Sequence, residues 1–182
     1  MVAPTRSGKT LCVIEAACRL GGSTLILTDR WPIARQFVAA IESHVRDDCG
    51  RAIPVGIVRE SRVDSAPSYP FVVGMVQTIA NKKLDPDFRR AFRTVVVDEC
   101  QGAPCSQVWG ALQRINSQYV FGLTATPDRH DGLGAAIPWI IGPQVSTLDR
   151  LLQAEVHYLH MPWANTPIPS RNGKRLKKPR LY

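Results

Sequence analysis

Two short stretches of this chain carry side chains whose types and spacing could do chemistry on a phosphate. Residues 3–10, "APTRSGKT", follow an A/G-x-x-x-x-G-K-[ST] pattern just ahead of an amphipathic segment. Backbone N–H groups at the start of a helix have no partners within the helix, and its dipole favours negative charge there, so such a loop can cradle phosphate oxygens. Thr5, Arg6, Ser7, Gly8, Lys9 and Thr10 are the candidate nucleotide-binding residues. Gly8 lets the backbone come close, Lys9 reaches the β- and γ-phosphates as a mobile cation, and Thr10 offers its hydroxyl to Mg²⁺. A glycine-containing turn that only starts a helix is the plain alternative.

Residues 94–101, "TVVVDECQ", end an apolar run with two adjacent carboxylates. Consecutive side chains on a strand point to opposite sides, so Asp98 and Glu99 have separate tasks at its C-terminal edge. Asp98 suits the Mg²⁺ shell and Glu99 suits the base that orients an attacking water. Exposed acids at a strand end are the alternative, but a phosphate loop needs a strand-end acid for its metal, and the two stretches together point to a nucleoside triphosphatase.

The elements that must position these groups are legible as alternating types. Apolar runs at 23–28, 53–58, 70–76, 94–98 and 119–124 read as strands. Being apolar throughout, they are expected to be covered on both faces, as parallel strands are. Residues 31–46 put Ile33, Phe37, Val38, Ile41 and Val45 on one helical face, with Pro32 in the first turn. A helix at roughly 105–115 stacks Val108, Leu112 and Ile115. The helix after the phosphate loop aligns Leu11, Ile14 and Cys18 and stops at Gly21 and Gly22. This alternation predicts a doubly wound α/β sheet, mostly parallel, with helices on both faces. Residues 1–150 form the expected domain; 151–182, interrupted by Pro162, Pro167, Pro169 and Pro179 and holding one weak strand candidate at 155–161, read as linker and tail.

Composition narrows the class. At 182 residues the chain is long enough for one ordinary core. No apolar run approaches the roughly 18 to 20 residues of a membrane span, and no signal-like segment opens the chain, so a cytoplasmic protein without a membrane partner is expected. The five cysteines are an odd number without zinc-like pairing, and His157 and His160 have no second ligand pair nearby. Net charge is +8, but the last twelve residues hold six basic groups and no acid, leaving +2 for the remainder. A solvated tail and a nucleic-acid contact are both open readings of it.

The stretches "APTRSGKT", "DECQ" and "GLTATPDRHDGL" (122–133), in that order, resemble motifs I, II and III of superfamily 2 DExx-box helicases and translocases. The likeness is greatest to the branch of the transcription-repair translocase and phage recombination helicases. Residues 25–37 and 72–79 resemble motifs Ia and Ib, and the likeness covers residues 2 to about 145. It implies the first RecA-like lobe of an ATP-dependent motor, with ATP and Mg²⁺ as cofactors. Asp98, Glu99, Lys9 and Gln101 are then catalytic, and Thr124, Ala125 and Thr126 couple nucleotide state to strand movement. Arg30, Gln77 and Thr78 touch a nucleic-acid backbone, DNA favoured over RNA. For the two threonines, capping of the turn before Pro127 stays open; for the three track residues, so does an unpartnered surface.

Several positions depart from the family pattern. Arg6 stands where glycine is usual and crowds the loop. Gln101 replaces a histidine but still bonds in both directions. Asp29, Arg30 and Met75 also differ, which weakens the track assignment. The resemblance further implies a strand before motif I and a second RecA-like lobe with arginine fingers; on the sequence given, the chain reads as truncated at both ends. Two other classes compete: a non-catalytic remnant that binds nucleic acid or a partner, and a nucleotide kinase or transporter ATPase. The kinase and transporter alternative is disfavoured by the second carboxylate followed by a Thr-Ala-Thr element and by the lack of an "SGGQ" signature. Purified 182-residue protein is expected to hydrolyse ATP slowly or not at all and not to unwind duplexes. A phosphate-release assay showing robust stimulation by nucleic acid would contradict this.

Overall fold

The computed structural model describes residues 1–2, 8–66, 68–126 and 132–146, all within a compact unit spanning Met1–Leu151. Thr5, Arg6 and Ser7, the strand candidate at 155–161 with His157 and His160, and the basic tail lie outside the described residues. Six strands form one sheet: β1 Thr24–Thr28, β2 Val55–Arg59, β3 Arg62–Val63, β4 Phe71–Met75, β5 Thr94–Val97 and β6 Tyr119–Gly122. Their order is β3-β2-β4-β1-β5-β6. Every neighbouring pair is parallel except β2 with β3.

Strand periodicity splits the core in two. Leu25 and Leu27 of β1, Val72 of β4, and Val95 and Val97 of β5 face one side, where they pack with Val76 and Ile79 of α3 (Val76–Asn81), Phe88 of α4 (Pro86–Arg90) and Ala111 of α5 (Ser106–Leu112). Ile26, Phe71, Val73 and Val96 face the other. There they meet Val13, Ile14 and Ala17 of α1 (Lys9–Leu20) and Ala34, Phe37 and Ile41 of α2 (Trp31–His44). A strand buried on both faces has no polar side to keep, which is why β1 and β5 read as unbroken apolar runs. The chain leaves β1 through α2 toward β2, and leaves β4 through α3 and α4 across to β5 on the opposite face. The reversal opens a crevice at the C-terminal ends of β4, β1 and β5, where open α/β sheets bind ligands.

Some expectations need correction. The buried stripe of α1 is Val13, Ile14 and Ala17, while Leu11 and Cys18 are exposed. Both sets fit the helical period, and Leu11 and Cys18 fall at the rim of the stripe, beside His44 and Val45. Helix α2 stops at His44 because Val45 is extended, and α5 is shorter than 105–115, although Ile115 is still buried. Coverage on both faces fails at β6, whose residues 119–121 are half-buried at the end of the sheet. Beyond β6, Val2 bridges Thr124 in parallel and the Met1 ammonium donates to the Gly122 carbonyl at 2.8 Å. The two-residue β3 and the short α3, α4 and α6 (Ile137–Ile140) are not foreseen by periodicity, although the Asp85 cap, accepting from Asp87 N at 2.7 Å, and Pro86 announce α4.

One glycine fixes the spacing between the strand-end acids and the sheet's last strand. A Cβ on Gly122 would lie 2.6 Å from Cys100 Sγ, 2.8 Å from Cys100 Cβ and 2.9 Å from Ile141 Cγ2. These are closer than carbon and sulfur can approach, so Gly122→Ala is expected to destabilise the fold by about 1–3 kcal/mol in urea melts. Gly110→Ala, with nothing within 4 Å of its Cβ position, serves as the harmless control.

Candidate active site

Lys9 and Thr10 open α1, after Gly8 turns the chain in the left-handed region (φ 82). That φ suits glycine alone among common residues. Helix formation starts at once, Cys12 N donating to Gly8 O at 3.0 Å. Across the crevice, Asp98 directly follows β5 and its N–H donates to Leu27 O of β1 at 3.0 Å, so the two strand ends are held together. Burial raises the Asp98 carboxyl to about 6, and the neighbouring Glu99 charge adds to this. The Lys9 ammonium pulls it back down, while Asp29 at the end of β1 pushes it up. The structure therefore brings the first charged group of α1 within electrostatic reach of the strand-end acid.

Glu99 has a left-handed backbone (φ 50, ψ 52), uncommon outside glycine and costing on the order of 1–3 kcal/mol. The turn is held from both sides: Cys100 N donates to Leu123 O at 2.8 Å and Gly102 N to Glu99 O at 2.9 Å. Its carboxylate accepts Gln101 Nε2 at 2.7 Å. Gln101 Oε1 in turn accepts the Thr124 hydroxyl at 2.6 Å, and that hydroxyl accepts Thr126 N–H at 3.0 Å. A carboxylate only accepts and a hydroxyl has one proton, so the chain has one direction: Thr126 N–H to Thr124, Thr124 to Gln101, Gln101 to Glu99. Thr124 is thus both a turn cap and a member of the relay. Ala125 and Thr126 line a cleft with Asp29, Arg30, Ile33, Glu99 and Gln101.

The remaining track candidates lie on the same edge with their polar groups partly engaged. Arg30 Nε is 3.6 Å from Asp29 Oδ2, and Gln77 Nε2 donates to Asp29 O at 3.4 Å. Thr78 Oγ1 accepts Glu60 N at 3.3 Å. Asp29 is the group that sequence reasoning undervalues: it lines the clefts on both sides of Glu99. Its place directly after the β1 run is the signal that could have found it. Among the described residues, no three His, Cys, Asp or Glu gather as a metal cage. Mg²⁺ seldom uses one; it keeps waters and takes one or two protein oxygens besides phosphate. A half-buried acid whose ionisation is opposed by the Glu99 and Asp29 charges is chemically suited to a cation.

Because the folded pKa of Asp98 lies above the unfolded 3.8, the folded state holds this proton more tightly. Its contribution to stability is present below pH 3.8 and is lost as pH rises through about 6. Without nucleotide or divalent cation, Asp98→Asn is expected to stabilise the protein at pH 8 by on the order of 1–3 kcal/mol, discounted toward the lower end for partial solvation. The gain should vanish toward pH 4. Denaturant melts giving a pH-independent difference would contradict the assignment of this cost to ionisation.

The family model described as "Type III restriction enzyme, res subunit" matches residues 1–129. A putative ATP-dependent RNA helicase of Acanthamoeba polyphaga mimivirus is 29% identical over 137 residues, covering 75% of this chain and 25% of that protein. A putative helicase of Invertebrate iridescent virus 6 is 29% identical over 166 residues, covering 85% of this chain and 37% of its own length. The chain thus spans about a quarter to two-fifths of these relatives. Among solved structures, the Sulfolobus solfataricus SWI2/SNF2 ATPase core in complex with dsDNA superposes with TM-score 0.54 at 17% identity, over 78% of this chain and 31% of that one. That likeness supports the RecA-like fold independently of the motifs. The chain belongs to the type III restriction enzyme res-subunit family, within the superfamily 2 ATP-dependent helicases.

Proposed function

We propose that residues 1–150 are the ATP-binding first motor lobe of a nucleic-acid helicase or translocase, followed by a linker and basic tail at 151–182. The observation that carries this reading is the joining of two charge systems at one crevice: Lys9 acting on Asp98, and the Glu99-Gln101-Thr124-Thr126 relay beside it. In this reading the backbone N–H groups of residues 5–10 and the Lys9 ammonium bind the triphosphate. Thr10 and Asp98 hold Mg²⁺, which when bound offsets charge on the phosphate oxygens. Glu99 accepts a proton from the attacking water, and its left-handed backbone fixes where that carboxylate points.

The relay gives the site a means of sensing its surroundings. Gln101 loses a bond if Thr124 moves, and the orientation of Glu99 then changes with it. Ala125 and Thr126 line the same cleft as Arg30, which with Gln77 and Thr78 contacts a sugar-phosphate backbone without reading bases. DNA is the favoured track, supported by the duplex bound to the similar ATPase core; the RNA helicase name of the viral relative keeps RNA as the other outcome. A second RecA-like lobe, on the same polypeptide or a partner, supplies the arginine that the loose phosphoryl-transfer transition state requires. The expected setting is the cytoplasm; among the described residues no helix is long and apolar enough to cross a membrane.

Lys9→Ala should weaken binding of a fluorescent ATP analogue by roughly tenfold or more, the loss of one charge-assisted contact. The melting profile in the absence of nucleotide should shift only slightly, since Lys9 lies outside the apolar core although its charge favours the Asp98 carboxylate. Unaltered nucleotide affinity would instead favour a non-catalytic remnant of a motor lobe.

A further inference from the structure

The C-terminal ends of β2, β4 and β1 stand side by side, Val58 in register with Gly74 and Gly74 with Leu27. Arg30 follows β1, and Gln77 and Thr78 follow β4. The third position on this edge belongs to Arg59, the last residue of β2. Its guanidinium lies over the ring of Trp31, the first residue of α2, with Cζ 4.6 Å from the ring centroid. The Trp31 ring is itself packed against the core on the α1 and α2 side, so it is a fixed shelf. Stacking orients the guanidinium plane without using any of its N–H groups.

The turn that carries Arg59 is also over-determined. Glu60 is left-handed (φ 53). Its N–H donates to Thr78 Oγ1 at 3.3 Å, and Lys82 Nζ donates to the Glu60 and Ser61 carbonyls at 3.0 and 3.1 Å. A non-glycine residue in that region persists only where its surroundings enforce it, and such positions gather at binding sites. By accepting from Glu60, the Thr78 hydroxyl keeps its own proton for donation. Among the described residues the acidic partner of Arg59 is Glu60, whose Oε1 accepts from Nε at 3.0 Å and lies 2.8 Å from Nη2, in a pair exposed at 40% and 74%. Such a pair is weakly held, and a backbone phosphate, which offers two acceptor oxygens to the guanidinium fork, can displace it.

We propose that Arg59, shelved on Trp31, is a phosphate-contacting residue that extends the nucleic-acid track from β1 and β4 onto β2. This rests on the reading of Arg30, Gln77 and Thr78 as track residues. Contact is to the backbone, so it adds affinity without sequence preference and carries salt dependence. Trp31 acts as a positioning residue, because its ring face is taken by the guanidinium.

The test is fluorescence anisotropy of the 182-residue chain with a fluorescein-labelled single-stranded oligodeoxynucleotide across a salt series. Arg59→Ala should weaken binding roughly three- to tenfold and flatten the slope of log K against log salt by about 0.7. Arg59→Lys should keep the slope but lose part of the affinity, because an ammonium cannot stack on the ring as a guanidinium does. If Arg59→Ala melts early, the Lys variant carries the test. Wild-type slope and affinity in both variants, with Arg30→Ala impaired, would overturn the role of Arg59 alone. Wild-type behaviour in Arg30→Ala and Gln77→Ala as well, or no binding by the parent chain, would remove the track reading and this inference with it.

Discussion

The arrangement depends on keeping two adjacent carboxylates at the end of a buried strand. Asp98 and Glu99 repel each other where water is scarce, and Asp29 adds a third negative charge. Left alone, such a cluster holds a proton or moves apart. Here it cannot move apart: Asp98 is tied to the rung of β1, and Glu99 is turned by a left-handed backbone held by Cys100 and Gly102, so the repulsion is expressed as a tighter hold of Asp98 on its proton. The field at this edge is therefore built to receive positive charge, and Lys9 supplies the first part of it. A strand buried on both faces makes this possible, since only a rigid, fully covered β5 can hold acids in place against their own repulsion.

The rest of the sheet serves that edge. Helices α1 and α2 cover one face and α3 to α5 the other, so the C-terminal ends of β4, β1 and β5 are left as the open side. Among the described residues, the polar groups that sequence reasoning selects follow these strand ends or open α1: Lys9 and Thr10 at the start of α1, Asp98 and Glu99 after β5, Thr124 after β6, Arg30 after β1, and Gln77 and Thr78 in α3. Groups 90 residues or more apart in the chain share one crevice because parallel strands put their C-terminal ends on the same side.

Much of this was legible before any coordinates. Unbroken apolar runs located β1, β4 and β5 because burial on both faces leaves no alternation to misread. The paired glycines after α1 marked its end, since Gly21 and Gly22 both have positive φ. What escaped was short or fixed by contacts across the fold. Val76 continues an apolar run in sequence but begins a helix, because β4 ends at Met75. The buried stripe of α1 was misread because Leu11 and Cys18 share its period, and only packing against α2 and the sheet decides between them. The Gln101 relay could be anticipated as bonding in two directions, but its partners, Glu99 and Thr124, are two and 23 positions away and no periodicity links them. Asp29 was passed over as a departure from a motif when its strand-end position made it a neighbour of the acids.

The absent side chain at Gly122 has a consequence for substitution. The Cβ of Cys100, as well as its sulfur, occupies the space a substituent would need. Trimming the cysteine to alanine therefore does not make room, and only a simultaneous change to glycine would begin to. Added volume on the inner side of this turn therefore meets packed atoms, whereas the solvent side, where Gln101 bonds to Glu99, can be altered without changing how far the acids sit from the sheet.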